Sequence, residues 1–393
     1  MFEDFTTAKL AYTPMEKADG NAYETAISPD DYATAFTEIT AWQDYAPTPL
    51  LDLKDLAKSL GLGDILYKDE GPRFGLGSFK ALGGSYAGLR ILGRELAKRL
   101  GKDVSLDDIR AGVYADDIAK ITLASATDGN HGRSLAWGAG RFGAPCQIYI
   151  HRDVSEGRAQ AMRDLGATVT RIDGDYDASV DQIRDDADTN GWFIVSDTSW
   201  DGYTQPPTDV MAGYGVMVRE IVQALDTPPT HVFLQGGVGG LAAGVVAGLR
   251  QHWGVKAPRV VVVEPELAAC LFESAKAGAA TNVKIEEETL MAGLSCGEPS
   301  PLAWAILREE ATDFLTIPEN IVAPAMRLAG RPMGDDPSIV AGESAVAGFA
   351  AVIAGASQDQ LRDVLGLNDT SRVLVIGSEG ATDPEIYEQL MAG

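Results

Sequence analysis

The chain has 393 residues, 45% of them apolar and 23% charged, a composition that buries a sizeable core and excludes a disordered or fibrous polypeptide. At about 150 residues per domain, the length also excludes a single small module. Lysine and arginine number 32 against 57 aspartates and glutamates, a net charge of −25, which argues against nucleic acid and anionic membranes as partners.

No apolar run approaches the roughly eighteen residues of a membrane span. The opening MFEDFTTAKL lacks the apolar stretch of a secretory signal, so the default location is cytoplasmic. Three widely spaced cysteines, Cys146, Cys270 and Cys296, form no CxxC and indicate neither a disulfide framework nor a zinc site.

In chain order, the first stretch with chemical content is KDEGPRFGLGSFKALGG, Lys68–Gly84. Lys80 leads into an Ala-Leu-Gly-Gly run that starts a helix. A lysine buried beside an aromatic at a helix start has its amine depressed and becomes a candidate for covalent attachment to a carbonyl cofactor; a solvated helix lysine is the alternative. Next, Ile121–Ala126 reads as a buried strand followed by ATDGNHG and a helical pattern. Thr127, Asp128, Gly129, Asn130 and His131 fall on the turn. Amides at the helix start suit a substrate carboxylate, while Thr127 or Asp128 serves equally well as an N-cap.

Further strands are expected at Cys146–Ile150, Thr168–Ile172, Trp192–Val195, His231–Gln235, Val260–Val263 and Val373–Gly377, with helix-length segments between most of them. This is an α/β pattern of parallel sheets with helices on both faces, whose ligands settle beyond the carboxyl ends of strands. After His231–Gln235 comes QGGVGGLAAG, Gln235–Gly244. Such a loop presents consecutive amides to a phosphate at a helix N-terminus. Gly237, Gly239 and Ala242 also satisfy G-x-G-x-x-A, with Glu264 at the end of the next strand, as in a nicotinamide-dependent dehydrogenase. A glycine turn that only permits close packing would look the same.

A lysine for a carbonyl cofactor, a carboxylate-binding turn and a phosphate loop are together what pyridoxal 5'-phosphate and an amino-acid substrate require. In order and wording, RFGLGSFKALGGSYA, ATDGNHGRSLAW and the glycine loop resemble the fold-type II pyridoxal-phosphate enzymes, specifically the 2,3-diaminopropionate ammonia-lyase family. The likeness continues through SDTSWDGY (Ser196–Tyr203), TLMAGLSCGEPSPLAW (Thr289–Trp304), GES (Gly342–Ser344) and GSEGATD (Gly377–Asp383). It implies a tryptophan synthase β-like fold of two doubly wound α/β domains. The expected large domain is formed by residues 1–88 plus 198–393 and the small one by residues 89–197.

The resemblance further implies that Lys80 holds the cofactor and later acts as a base. Asn130 would meet the pyridine 3-hydroxyl and Ser378 the ring nitrogen, with Gly236, Gly237, Val238, Gly239 and Gly240 around the phosphate. Thr127, Asp128, Gly129 and His131 would bind substrate. Asp128 and Asp197 would be the acids that handle a β-amine, a poor leaving group until it is protonated. The implied reaction is β-elimination of ammonia from 2,3-diaminopropionate, giving pyruvate and ammonia, in a homodimer; no metal-ligating residues stand out. A dehydratase acting on serine, threonine or 3-hydroxyaspartate is the nearest alternative. Cys270 and Cys296 are expected near the site as a reduced pair.

Overall fold

The computed structural model describes residues 2–127 and 129–392. Its eleven strands are β1 (Ala11–Pro14), β2 (Leu50–Asp52), β3 (Asp64–Asp69), β4 (Leu123–Ala126), β5 (Cys146–Ile150), β6 (Thr168–Arg171), β7 (Phe193–Ile194), β8 (His231–Gln235), β9 (Arg259–Pro265), β10 (Asp313–Ile317) and β11 (Arg372–Gly377). The chain divides into two compact units, one of Met1–Pro29, Ala46–Ser78 and Met217–Gly393, the other of Asp30–Tyr45 and Phe79–Val216.

The first unit is built on a seven-stranded sheet in the order β1-β10-β9-β8-β11-β3-β2. Its five inner strands run parallel, while β1 and β2 close the two edges antiparallel. Buried on both faces, the inner strands carry near-continuous apolar runs such as Val260–Val263. Helix Ala347–Ser357 is apolar all round and packs in the core with Phe233, Val261, Val263, Val373 and Val375, as expected of a helix with no solvent face. The second unit holds a wholly parallel four-stranded sheet, β6-β5-β4-β7.

The seven strands expected from sequence all form. Four others, β1, β2, β3 and β10, complete the larger sheet. The smaller unit begins at Phe79 rather than residue 89, because helix Lys80–Leu100 is continuous and packs along helix Asn130–Phe142. It also takes in residues 30–45: Trp42 lies edge-on to Trp137 and Phe142, with ring centroids 5.7 and 5.9 Å away, and Arg110 binds both oxygens of Glu38. Its far end reaches Val216 rather than residue 197, so most of helix Gln205–Ala224 belongs to it. Among the described residues no helix is long and apolar enough to cross a membrane.

Candidate active site

The glycines after Lys80 set where that lysine lies. Helix Lys80–Leu100 meets helix Asn130–Phe142 so closely that a Cβ on Gly84 would stand 2.9 Å from Ser134 Oγ, and one on Gly138 would stand 2.7 Å from Ser85 Cα. Two serines lock the crossing: Ser85 N–H donates to Ser134 Oγ (3.0 Å) and Ser85 Oγ to the Ser134 carbonyl (2.6 Å). The first residue of one helix and the turn that opens the other are thereby braced together.

That turn is built by Thr127. Its Oγ1 accepts from the amides of Gly129 (3.1 Å) and Gly132 (3.3 Å), so it serves the helix start, as an N-cap would. Thr127 and Gly129 therefore shape the turn with the very atoms expected to meet substrate. Gly132 must be glycine, since a Cβ there would fall 2.4 Å from Thr127 Cγ2. Asn130 is the first residue of the helix. Asp128 lies outside the described residues. His131 is 7% exposed, and its Nε2 faces the Val195 carbonyl at 2.9 Å. Nε2 thus carries the ring proton. Nδ1 is left buried with no hydrogen-bond partner among the described residues.

Val195 leads into the segment that carries Asp197. Here Tyr203 accepts from the Ser196 amide (3.0 Å) and donates to the Ile194 carbonyl (2.9 Å), while Trp200 and Tyr203 exchange backbone hydrogen bonds and stack at 3.9 Å. The closed hairpin holds Asp197 against Lys80 in an ion pair. Burial alone would raise the Asp197 carboxyl, but the Lys80 ammonium, assisted by His131, holds it well below the usual carboxylate range. The two side chains keep 21% and 19% of their surface exposed, enough for a ligand to reach them. Asp197 is thus a paired carboxylate.

The glycine loop lies in the other unit. Gly237 and Gly239 have φ of +62° and +96°, which a side chain would strain, and a Cβ on Gly236 would stand 2.5 Å from Glu264 Cγ. The amide of Gly236 donates to Val263 O (2.9 Å) and that of Gly239 to Gly236 O (3.2 Å). Two of the five amides expected to meet a phosphate are therefore spent inside the protein. Those of Gly237, Val238 and Gly240 have no acceptor among the described residues, and they stand at the start of helix Gly240–Trp253. A loop of this kind fits a phosphate, so the residues present suit pyridoxal phosphate.

Glu264 turns to a different task. Fully buried, it accepts from the amides of Leu271 (3.1 Å) and Phe272 (2.7 Å) and caps helix Cys270–Ala277, so the nicotinamide reading loses its ribose ligand. Burial pushes its carboxyl up to about 8. Cys270 Sγ lies 3.5 Å from Gly237 O, and neither Cys270 nor Cys296 is in a disulfide. At the end of β11, Ser378 is 4% exposed; Glu379 after it bridges to Ser78, and the Gly380 amide donates to Gly77 O (2.9 Å).

The matched family model describes pyridoxal-phosphate-dependent enzymes and spans residues 41–379. The chain belongs to that family. It is 39% identical over 353 residues to the diaminopropionate ammonia-lyase of Escherichia coli (strain K12), covering 88% of this chain and 87% of that one. The holo crystal structure of the E. coli diaminopropionate ammonia-lyase superposes with a TM-score of 0.89 at 35% identity, covering 98% and 97% of the two chains. The same enzyme in complex with an aminoacrylate–PLP azomethine reaction intermediate gives 0.86 at 34%, covering 98% and 97%. Membership of this family makes pyridoxal phosphate the cofactor and places the fold in type II.

Sequence patterns did not single out a buried charge network under the Gly71–Ser78 loop. Lys68 Nζ contacts Glu220 at 2.5 Å, and Arg73 binds Glu70 and Glu220 at 2.8 Å, with all four side chains 3% exposed or less. Thr48 Oγ1 donates to Glu70 (2.6 Å). Two positive and two negative charges balance, which keeps such a cluster tolerable away from water.

Proposed function

We propose that this enzyme removes ammonia from Cβ of 2,3-diaminopropionate by β-elimination, and that water hydrolyses the released aminoacrylate to pyruvate and a second ammonia. Bound pyridoxal phosphate supplies the electron sink for charge that develops at the substrate Cα. Lys80 holds the cofactor through its amine and, once displaced by the substrate amine, takes the Cα proton on Nζ. The amides of Gly237, Val238 and Gly240 bind the phosphate, Asn130 meets the ring hydroxyl, and Ser378 meets the ring nitrogen. The start of helix Asn130–Phe142 takes the substrate carboxylate, with His131 beside it. Asp128 is the second acid–base group and lets both enantiomers react.

The observation that carries this reading is the Lys80–Asp197 pair. When Lys80 is bonded to the cofactor, or stands free as a neutral amine ready to take a proton, the Asp197 carboxylate lacks a cation, and the β-ammonium of diaminopropionate is one. A β-hydroxyl brings no charge, so the pair favours loss of ammonia over the loss of water that a serine-type dehydratase performs. Protonation also makes the amine a competent leaving group. The enzyme would act on a small amino acid as a homodimer in the cytoplasm, as the resemblance in the sequence implies.

A panel of β-substituted amino acids, both enantiomers of each, assayed for pyruvate and ammonia, tests the substrate. Borohydride reduction followed by peptide mass spectrometry should find the cofactor on the Lys80 peptide and nowhere else. K80A should lose both the adduct and turnover. A parent protein that releases pyruvate from serine but not from diaminopropionate would overturn the reading.

A further inference from the structure

Lys80 has a third neighbour that the roles above do not use. Tyr214, on helix Gln205–Ala224, is 1% exposed. Its ring packs on Phe79 with centroids 4.7 Å apart. It lies over the first turn of helix Lys80–Leu100 because Gly83 has no side chain; a Cβ there would stand 2.5 Å from Tyr214 Cε1 and 2.9 Å from Cζ. The hydroxyl has no hydrogen-bond partner among the described residues. It is nevertheless near enough to feel the site. Burial pushes its pKa up, Lys80 opposes that and Asp197 adds to it. Lys80 Nζ lies over the same Phe79 ring, 5.4 Å from its centroid, so the phenol and the amine share one neighbour. A buried hydroxyl left unpaired is costly, and a phenylalanine would fill the same space.

We infer that Tyr214 is a positioning residue for the Lys80 amine: its phenol oxygen accepts one N–H of the free amine and so aims the lone pair. A neutral amine has two N–H groups and one lone pair. Asp197 accepts one N–H and Tyr214 the other, which leaves the lone pair directed at whatever lies opposite. The proton then passes from the substrate Cα to Lys80 Nζ, and Tyr214 keeps its own proton throughout, as its burial favours. The inference rests on the reading of Lys80 as the cofactor-bearing base.

Y214F keeps the ring on Phe79 and Gly83 and removes only the oxygen. The groups that face Lys80 are Asp197 after β7, His131 at the start of its helix and Tyr214 itself, with Asp128 outside the described residues. In the full chain freed of cofactor by hydroxylamine, trace acetylation of Lys80 followed against pH reads the amine directly. Loss of an acceptor for the ammonium should lower the labelling midpoint by about half a unit to one unit. In the holoenzyme, kcat should fall about tenfold at unchanged KM, with a larger isotope effect for substrate deuterated at Cα. A labelling midpoint equal to the parent's overturns the role of Tyr214 and leaves the reading of Lys80 standing. Absence of a borohydride-fixed cofactor on Lys80 in the parent overturns that reading instead, and the labelling result remains interpretable.

Discussion

Asp197 is partly buried and Glu264 fully buried, and different partners drive the two carboxyls opposite ways. Asp197 meets an ammonium and stays ionised, whereas Glu264 meets only amides and a thiol and holds its proton. D197N should reduce turnover of diaminopropionate by about 10²–10⁴-fold and that of serine by much less, so the ratio of the two rates is the measurement; equal losses would remove Asp197 from leaving-group handling. For Glu264, the folded value of about 8 lies above the ordinary 4.5. Its contribution to stability is therefore complete below the unfolded value and is lost as pH rises through about 8. E264Q cannot ionise, so between about pH 6 and pH 9 the parent's thermal midpoint should fall relative to that of E264Q; parallel curves would show that Glu264 does not titrate there. Of these residues, Lys80 and the glycine loop were legible as residue types in a pattern. Asp197 gained meaning only from its partner, and Tyr214, which carries no motif, is visible only through Gly83.

Among the elements, the strands hidden from sequence share a cause. β3 and β10 contain Lys68 and Asp313, which break an apolar run, yet both charges are buried and paired, Lys68 with Glu220 and Asp313 with Arg259 at 2.6 Å. β1 and β2 are short edge strands, one ending in proline, where alternation has too few residues to register. The wholly apolar inner strands, by contrast, announce themselves. The glycines of helix Lys80–Leu100 were legible as signs of close approach, but not what approaches: Ser134 at Gly84, Tyr214 at Gly83. G138V tests how far this crossing matters. Its added side chain meets Ser85 Cα, and overpacking there should cost about 1–3 kcal/mol in urea unfolding. Turnover should fall as well, since the crossing braces Lys80 against the Thr127–His131 turn; full activity in a destabilised variant would separate the two.

For the molecule as a whole, a net charge of −25 means sustained self-repulsion in the folded state. Raising sodium chloride from about 20 mM to about 0.5 M shortens the range of that repulsion to a few ångströms and should lift the thermal midpoint by several degrees; a flat or falling midpoint would show that local pairs already offset it. The α/β class was readable from strand spacing and the two-domain plan from the family resemblance, whereas the unit boundaries were not, because they depend on which helix Lys80–Leu100 packs against. The strand order of the larger sheet carries a consequence for biosynthesis. β3 pairs with β11, and Asp64 and Arg372 in these partners stand 308 positions apart. At about 5–20 residues per second, a ribosome needs roughly 15–60 s to deliver the second after the first. All four strands of the smaller sheet emerge within that interval, so the nascent chain can finish one sheet while β3 of the other, with only the edge strand β2 beside it, still waits, open to wrong partners, for the last part of its own polypeptide.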